Sequence, residues 1–97
     1  MWIGWIEFDV LFGDVQSLKE KRSVLRPVIA EIRKHFDVSV AEVEHQDLHR
    51  RAVVGVALVA ADRARVAAVL DAVENHVAAR PGMDLLGARR RIITGGD

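Results

Sequence analysis

The sequence predicts an α+β fold in which two β-α-β halves build one four-stranded antiparallel sheet with both helices on the same face. Three observations lead there. Trp2–Leu11 alternates with a period of two, as a half-buried strand does. Two apolar stripes at helical spacing each begin just after a capping residue, Ser17 and Asp62. Ala52–Ala60 is apolar on both parities, which suits a central strand covered on both sides.

In chain order, the first strand sets Gly4, Ile6, Phe8 and Val10 on one side and Ile3, Trp5, Glu7, Asp9 and Leu11 on the other. The first set should face the helices. Gly13-Asp14 marks a turn. Ser17-Leu18-Lys19-Glu20 then reads as a capping box: Ser17 Oγ accepts from the Glu20 N–H, and the Glu20 carboxylate reaches back to the Ser17 N–H. A helix therefore starts at Leu18, with its stripe along Leu18, Val24, Leu25, Val28, Ile29, Ile32 and Phe36. Pro27 removes one backbone bond, but the stripe continues across it, so the spacing predicts one kinked helix rather than two.

Val38–His45 and Ala52–Ala60 read as the second and third strands. Asp62 caps a second helix with a stripe of Val66, Val69, Leu70, Val73 and Val77, stopped at Arg80-Pro81-Gly82. Leu85–Ile93 is the last strand, and Thr94–Asp97 reads as a loose tail. Right-handed crossovers then give a ferredoxin-like domain over residues 1–97, with the first and third strands central.

Composition narrows the function classes. Ninety-seven residues suit a single domain able to bury a core unaided. The absence of cysteine excludes disulfides and thiolate metal sites. No apolar run reaches the ~18–20 residues of a membrane span, and Met1–Phe12 does not resemble a signal peptide, so a cytoplasmic protein is expected. Fourteen basic and fourteen acidic residues give a formal net charge of zero, which lowers the prior for nucleic-acid binding without removing local basic patches. No sequence-specific reading of DNA is expected.

Four groups of residues carry chemistry worth weighing. Lys19, Lys21 and Arg22 crowd a helix start, with Arg50 and Arg51 later in the chain. Cations placed against the helix dipole suit an anion or RNA phosphate, although a solvated face is the simpler reading. Glu42, Glu44, His45, Gln46, Asp47 and His49 form the densest group of ligand-bearing residues. On a regular strand Glu42 and Glu44 share a face opposite His45, and convergence on a metal would need a bulge or sharp turn. The spacing matches no metal motif, and neither a metal nor a cofactor is expected.

Ile3, Trp5, Val53, Ala57 and Val59 share the sheet face that the helices leave open, and an apolar patch there points to a homo-oligomer, most simply a dimer. Arg89-Arg90-Arg91 on an edge strand reads chiefly as protection against edge-to-edge pairing. Two activities of this topology are disfavoured. Acylphosphatase-like chemistry needs an arginine in the first loop and an asparagine to orient water, yet the one asparagine is Asn75, within the second helix. Base stacking on the sheet needs aromatics in the third strand, and Arg51–Val59 has none.

Ser17–Ser23 (SLKEKRS), Val38–Val43 (VSVAEV), His45–Leu48 (HQDL) and the strand around Gly55 resemble the YlxP-like family of small bacterial proteins. The resemblance spans roughly Ile3 to Arg91. It implies a compact ferredoxin-type domain and, from the genes that often accompany the family, a role near translation or ribosome maturation. It supplies no catalytic residues. The expected function is thus a non-catalytic binding or assembly module touching ribosomal RNA or a translation factor. The alternative is a small metal-dependent or other enzyme centred on Glu44, His45, Asp47 and His49.

Overall fold

The computed structural model describes residues 1–96. Its elements are β1 (Trp2–Phe12), α1 (Leu18–His35), β2 (Ser39–Glu44), β3 (Arg51–Ala60), α2 (Arg63–Ala78) and β4 (Met83–Thr94). They form one antiparallel sheet in the order β2-β3-β1-β4, so β1 and β3 are central as the sequence predicts.

The register follows from burial. Gly4, Ile6, Phe8, Val10 and Phe12 face the helices and are buried, whereas Ile3, Trp5, Glu7, Asp9 and Leu11 lie on the open face and are only partly covered. On β3 the helix-facing positions are Ala52, Val54, Val56 and Leu58. These side chains join Leu25, Val28 and Ile32 of α1 and Val66, Leu70, Val73 and Val77 of α2 in a single core.

Gly4 determines how closely α2 approaches the sheet. A Cβ built there would lie 2.2 Å from Val66 Cγ1 and 3.2 Å from Leu70 Cδ1, so the helix can sit at this depth only over a residue without a side chain.

Both helix starts are capped as expected, by Ser17 Oγ accepting from the Glu20 N–H (3.1 Å) and Asp62 Oδ1 accepting from the Arg65 N–H (2.8 Å). The return bond differs: the Glu20 carboxylate accepts from the Gln16 N–H at 3.1 Å, one residue before the expected donor. The α1 helix runs unbroken through the exposed Pro27.

At the far edge, β4 is longer than predicted because Met83 pairs with Phe12 and Thr94 with Trp2. The expected tail therefore begins at Gly95, whose N–H bonds the Met1 carbonyl at 2.7 Å, and Asp97 lies outside the described residues. A bulge opposite Asp9/Val10 turns Leu86 outward. Arg90 sits on the helix side of β4 and ties it to Asp71 and Glu74 of α2, at 2.8 and 2.9 Å. Burial opposes its charge, but hydrogen bonds to Glu74 and Asp71 outweigh this and raise its pKa.

Candidate functional site

The residues singled out in the sequence separate into an interior node, a turn and an open surface. Lys21 is the node. It stands on the same stripe of α1 as Leu25, Val28 and Ile32 and is 1% exposed, so it cannot meet phosphate, contrary to the expectation from the sequence. Its ammonium donates to the His45 carbonyl (2.7 Å) and the Leu48 carbonyl (2.6 Å) and pairs with Glu42 Oε2 at 2.6 Å. Two carbonyls accept hydrogen bonds from the ammonium, and the Glu42 carboxylate balances its charge as a close ion pair without hydrogen-bond alignment.

The turn after β2 is built around that ammonium. A bulge at Val43 shifts the pairing, so that Glu42 opposes Val54 and Glu44 opposes Val53. Glu42 consequently faces α1 and Lys21, while Glu44 passes to the open face. The expectation that these two glutamates share a face is overturned, because the bulge inserts one residue between them. His45 adopts φ 63°, a left-handed conformation that strains a residue with a Cβ by about 1–2 kcal/mol. Its carbonyl accepts from both Lys21 and the Leu48 N–H (3.0 Å), which holds the turn in this shape.

Gln46, Asp47 and His49 are exposed along the turn. Among the described residues, no three His, Asp or Glu side chains cluster as a metal site requires. Glu44 turns to the open face while Asp47 and His49 stay exposed on the turn, so the ligand set proposed for an enzyme does not converge among the described residues.

The other basic residues divide similarly. Arg51 is gripped by both carboxylate oxygens of Asp9, at 2.7 and 2.8 Å, and Arg50 is exposed with its Nε on the Phe12 carbonyl (3.2 Å). Lys19 and Arg22 are exposed on the outer side of α1, without an ion-pair partner among the described residues.

The open face of the sheet carries the rest. Trp5 opposes Ala57 on β3 and Arg91 on β4, Ile3 opposes Val59 and Ile93, and Glu7 opposes Gly55 and Arg89. Arg89 bonds Glu7 at 2.7 Å and lies 5.8 Å from the Trp5 ring centroid. Val59 is 60% exposed, but Val53 on the same face is only 6% exposed, so it does not belong to the open patch as the sequence suggested. Beside Trp5 runs a groove of about 280 Å³ with Gly55 in its floor, walled on the β2 side by Ala41 and Val43. No helix covers this face, and no helix in the described residues is long and apolar enough to cross a membrane.

The family described as "Protein of unknown function (DUF503)" matches residues 3–90. The chain belongs to that family. A curated relative, the uncharacterized protein YlxP of Bacillus subtilis (strain 168), is 38% identical over 61 residues. The match takes in 63% of this chain and 66% of the relative, so the chain spans slightly under two thirds of that protein's length.

Among solved structures, a crystal structure of a single-site variant of SnoaB, a cofactor-independent oxygenase from Streptomyces nogalater, matches with a TM-score of 0.51. At 12% identity over 99% of this chain and 94% of the other, that likeness shows the fold alone. In this DUF503 chain, the blocks that carry the resemblance are therefore joined physically: Lys21 of the first reaches Glu42, His45 and Leu48 of the second. The family-like sequence around these positions builds part of the interior and the turn, whose Gln46, Asp47, Leu48 and His49 remain exposed.

Proposed function

We propose that this DUF503 protein is a non-catalytic binding and assembly module that self-associates through the open face of its sheet. The observation that carries this reading is the apolar cluster on the face opposite the helices, where Ala57 and Val59 are exposed and Ile3, Trp5 and Ile93 half-buried. An aromatic at the centre of such a patch, with paired charges at its edge, is the anatomy of a protein contact. The scattered ligand residues of the β2–β3 turn argue against the enzyme reading.

Self-association is tested with Trp5→Asp, which sets a charge into an apolar contact. The variant is expected to keep the far-ultraviolet circular dichroism of the unmutated chain and to sediment as a single chain. Unchanged association would remove Trp5 from the contact and defeat the reading.

A second, RNA-directed contact draws support from Lys19 and Arg22, exposed side by side at the start of α1. If they meet phosphate, changing both to glutamate abolishes association with ribosomal RNA and leaves stability intact, since neither touches the core. Loss of two phosphate contacts would reduce the magnitude of the salt slope by about 1.4–1.8. An unmutated protein with no salt-sensitive RNA association would eliminate this contact and leave the assembly role alone.

A further inference from the structure

The outward side of α1 carries a charge pattern that α2 lacks. Lys19, Arg22, Arg26 and Arg33 follow one another at steps of three, four and seven residues, and all are exposed. At ~3.6 residues per turn they fall within about 60° of one another around the axis and span about 21 Å along it. No acidic residue shares this stripe. The glutamates of α1, Glu20 and Glu31, lie about 100° or more round the helix from Lys19. Both are engaged there, Glu20 by the Gln16 N–H and Glu31 by Arg80. Several arginines elsewhere are matched by carboxylates: Arg51 by Asp9, Arg89 by Glu7, and Arg90 by Asp71 and Glu74. The stripe residues have no carboxylate partner among the described residues, and Arg33 is steadied by donating to the Val40 carbonyl at 2.9 Å. On α2, by contrast, Arg63 and Arg65 are followed by Asp71 and Glu74. The zero net charge is therefore unevenly spread, and a polyanion meets no repelling carboxylate along this side of α1.

We infer that α1 lies along the phosphate backbone of duplex RNA through Lys19, Arg22, Arg26 and Arg33. This rests on the RNA contact read above and specifies its substrate class and two further residues. Charge complementarity selects a polyanion, and the absence of a stacking platform selects a duplex. Single strands are held by aromatics interleaved with cations. Here Phe8 and Phe12 are buried, Trp2 and Phe36 pack against the core, and Trp5 lies on the far side of the sheet. The shape of the surface favours RNA over DNA. Lying flat on the sheet beside β2, α1 offers only its outer side, which suits the wide, shallow minor groove of A-form RNA better than the deep major groove of B-DNA. Binding should follow backbone and shape, with no preference for base sequence.

The test uses a gap in the stripe. Ala30 is exposed between Arg26 and Arg33 on the same side of the helix, and both lysine and glutamate are good helix formers there. Binding of a labelled RNA duplex of about 16 base pairs is followed by fluorescence anisotropy across salt concentrations. Four phosphate contacts give the unmutated chain a salt slope of about 2.8–3.6 in magnitude. One contact changes affinity by about five- to eightfold between 1 M and 0.1 M salt. At the lower salt, Arg26→Gln should therefore weaken binding by about that factor and Ala30→Lys should tighten it by about as much. Ala30→Glu should weaken binding, with the circular dichroism of all three variants unchanged.

Opposite responses to lysine and glutamate at one exposed position support the arrangement. Indifference to all three substitutions overturns it. So does tighter binding to the separated single strand or to a DNA duplex of the same sequence. If RNA binding responds to Lys19 and Arg22 but not to Arg26 or Ala30, the earlier RNA contact stands and the extended stripe is overturned. If the unmutated chain binds neither single-stranded nor duplex RNA, both RNA readings fall together.

Discussion

Replacing Lys21 with glutamate is expected to leave the chain unfolded at ordinary temperature. The substitution would face a carboxylate with the Glu42 carboxylate and two carbonyl oxygens, all within 2.7 Å of the present ammonium nitrogen. Even Lys21→Met, which preserves the apolar stem, strips Glu42 of its partner charge and both carbonyls of their common donor. Breaking a buried ion pair from one side typically costs about 3–5 kcal/mol, against a total stability of about 5–15 kcal/mol for a domain. At roughly 4–8 °C per kcal/mol for a chain of this size, the melting temperature should fall by at least about 12 °C. Thermal denaturation of Lys21→Met measures this directly. A shift of a degree or two would mean that Lys21 is solvated and that the turn is held by something else.

Gly4→Val should be the next most damaging change, and its direction opposes simple propensity. Valine favours strands over glycine by up to about 1 kcal/mol, so an uncrowded position would be stabilised. Here the new Cβ alone would stand 2.2 Å from Val66 Cγ1, and Val66 is fully buried on α2. A helical valine has one strongly preferred rotamer, so the methyl cannot swing aside cheaply. The helix must lift instead, and overpacking of this kind costs about 1–3 kcal/mol or more. Urea denaturation of Gly4→Ala and Gly4→Val should show a loss that grows with side-chain size. A stabilised Gly4→Val would place α2 farther from β1 than the structure does.

The fold was legible because its signals are local. Alternation in Trp2–Leu11 assigned the faces of β1 to the correct sides, and Ser17 and Asp62 marked both helix starts within one residue. The two-sided apolarity of β3 placed it centrally. What escaped was decided by contacts distant in sequence. Lys21 escapes the sequence because lysine is rarely buried, although its spacing to Leu25, Val28 and Ile32 puts it on the buried stripe. Its partners lie 21 to 27 residues away, at the end of β2 and in the turn after it, whose placement no local pattern reveals.

The bulge at Val43 was equally hidden, since an inserted residue leaves the alternation of VSVAEVE intact on paper while reversing Glu44 in space. The left-handed turn at His45 carries no glycine to announce it. The Asp9–Arg51 pair required the β1–β3 register, which depends on the whole sheet.

These corrections bear on function as much as on fold. With Lys21 inside and Arg51 matched by Asp9, two of the five cations first considered for phosphate are committed within the domain. The family-like blocks explain why the turn has its shape. They leave Trp5 and its neighbours as the feature with no internal use. The central claim is that this open face is a contact surface for a second copy. Its most direct test is the mass of the unmutated protein by light scattering across micromolar concentrations. The account predicts a rise toward twice the chain mass of 10.8 kDa, lost in Trp5→Asp; a constant 10.8 kDa at every concentration would contradict it.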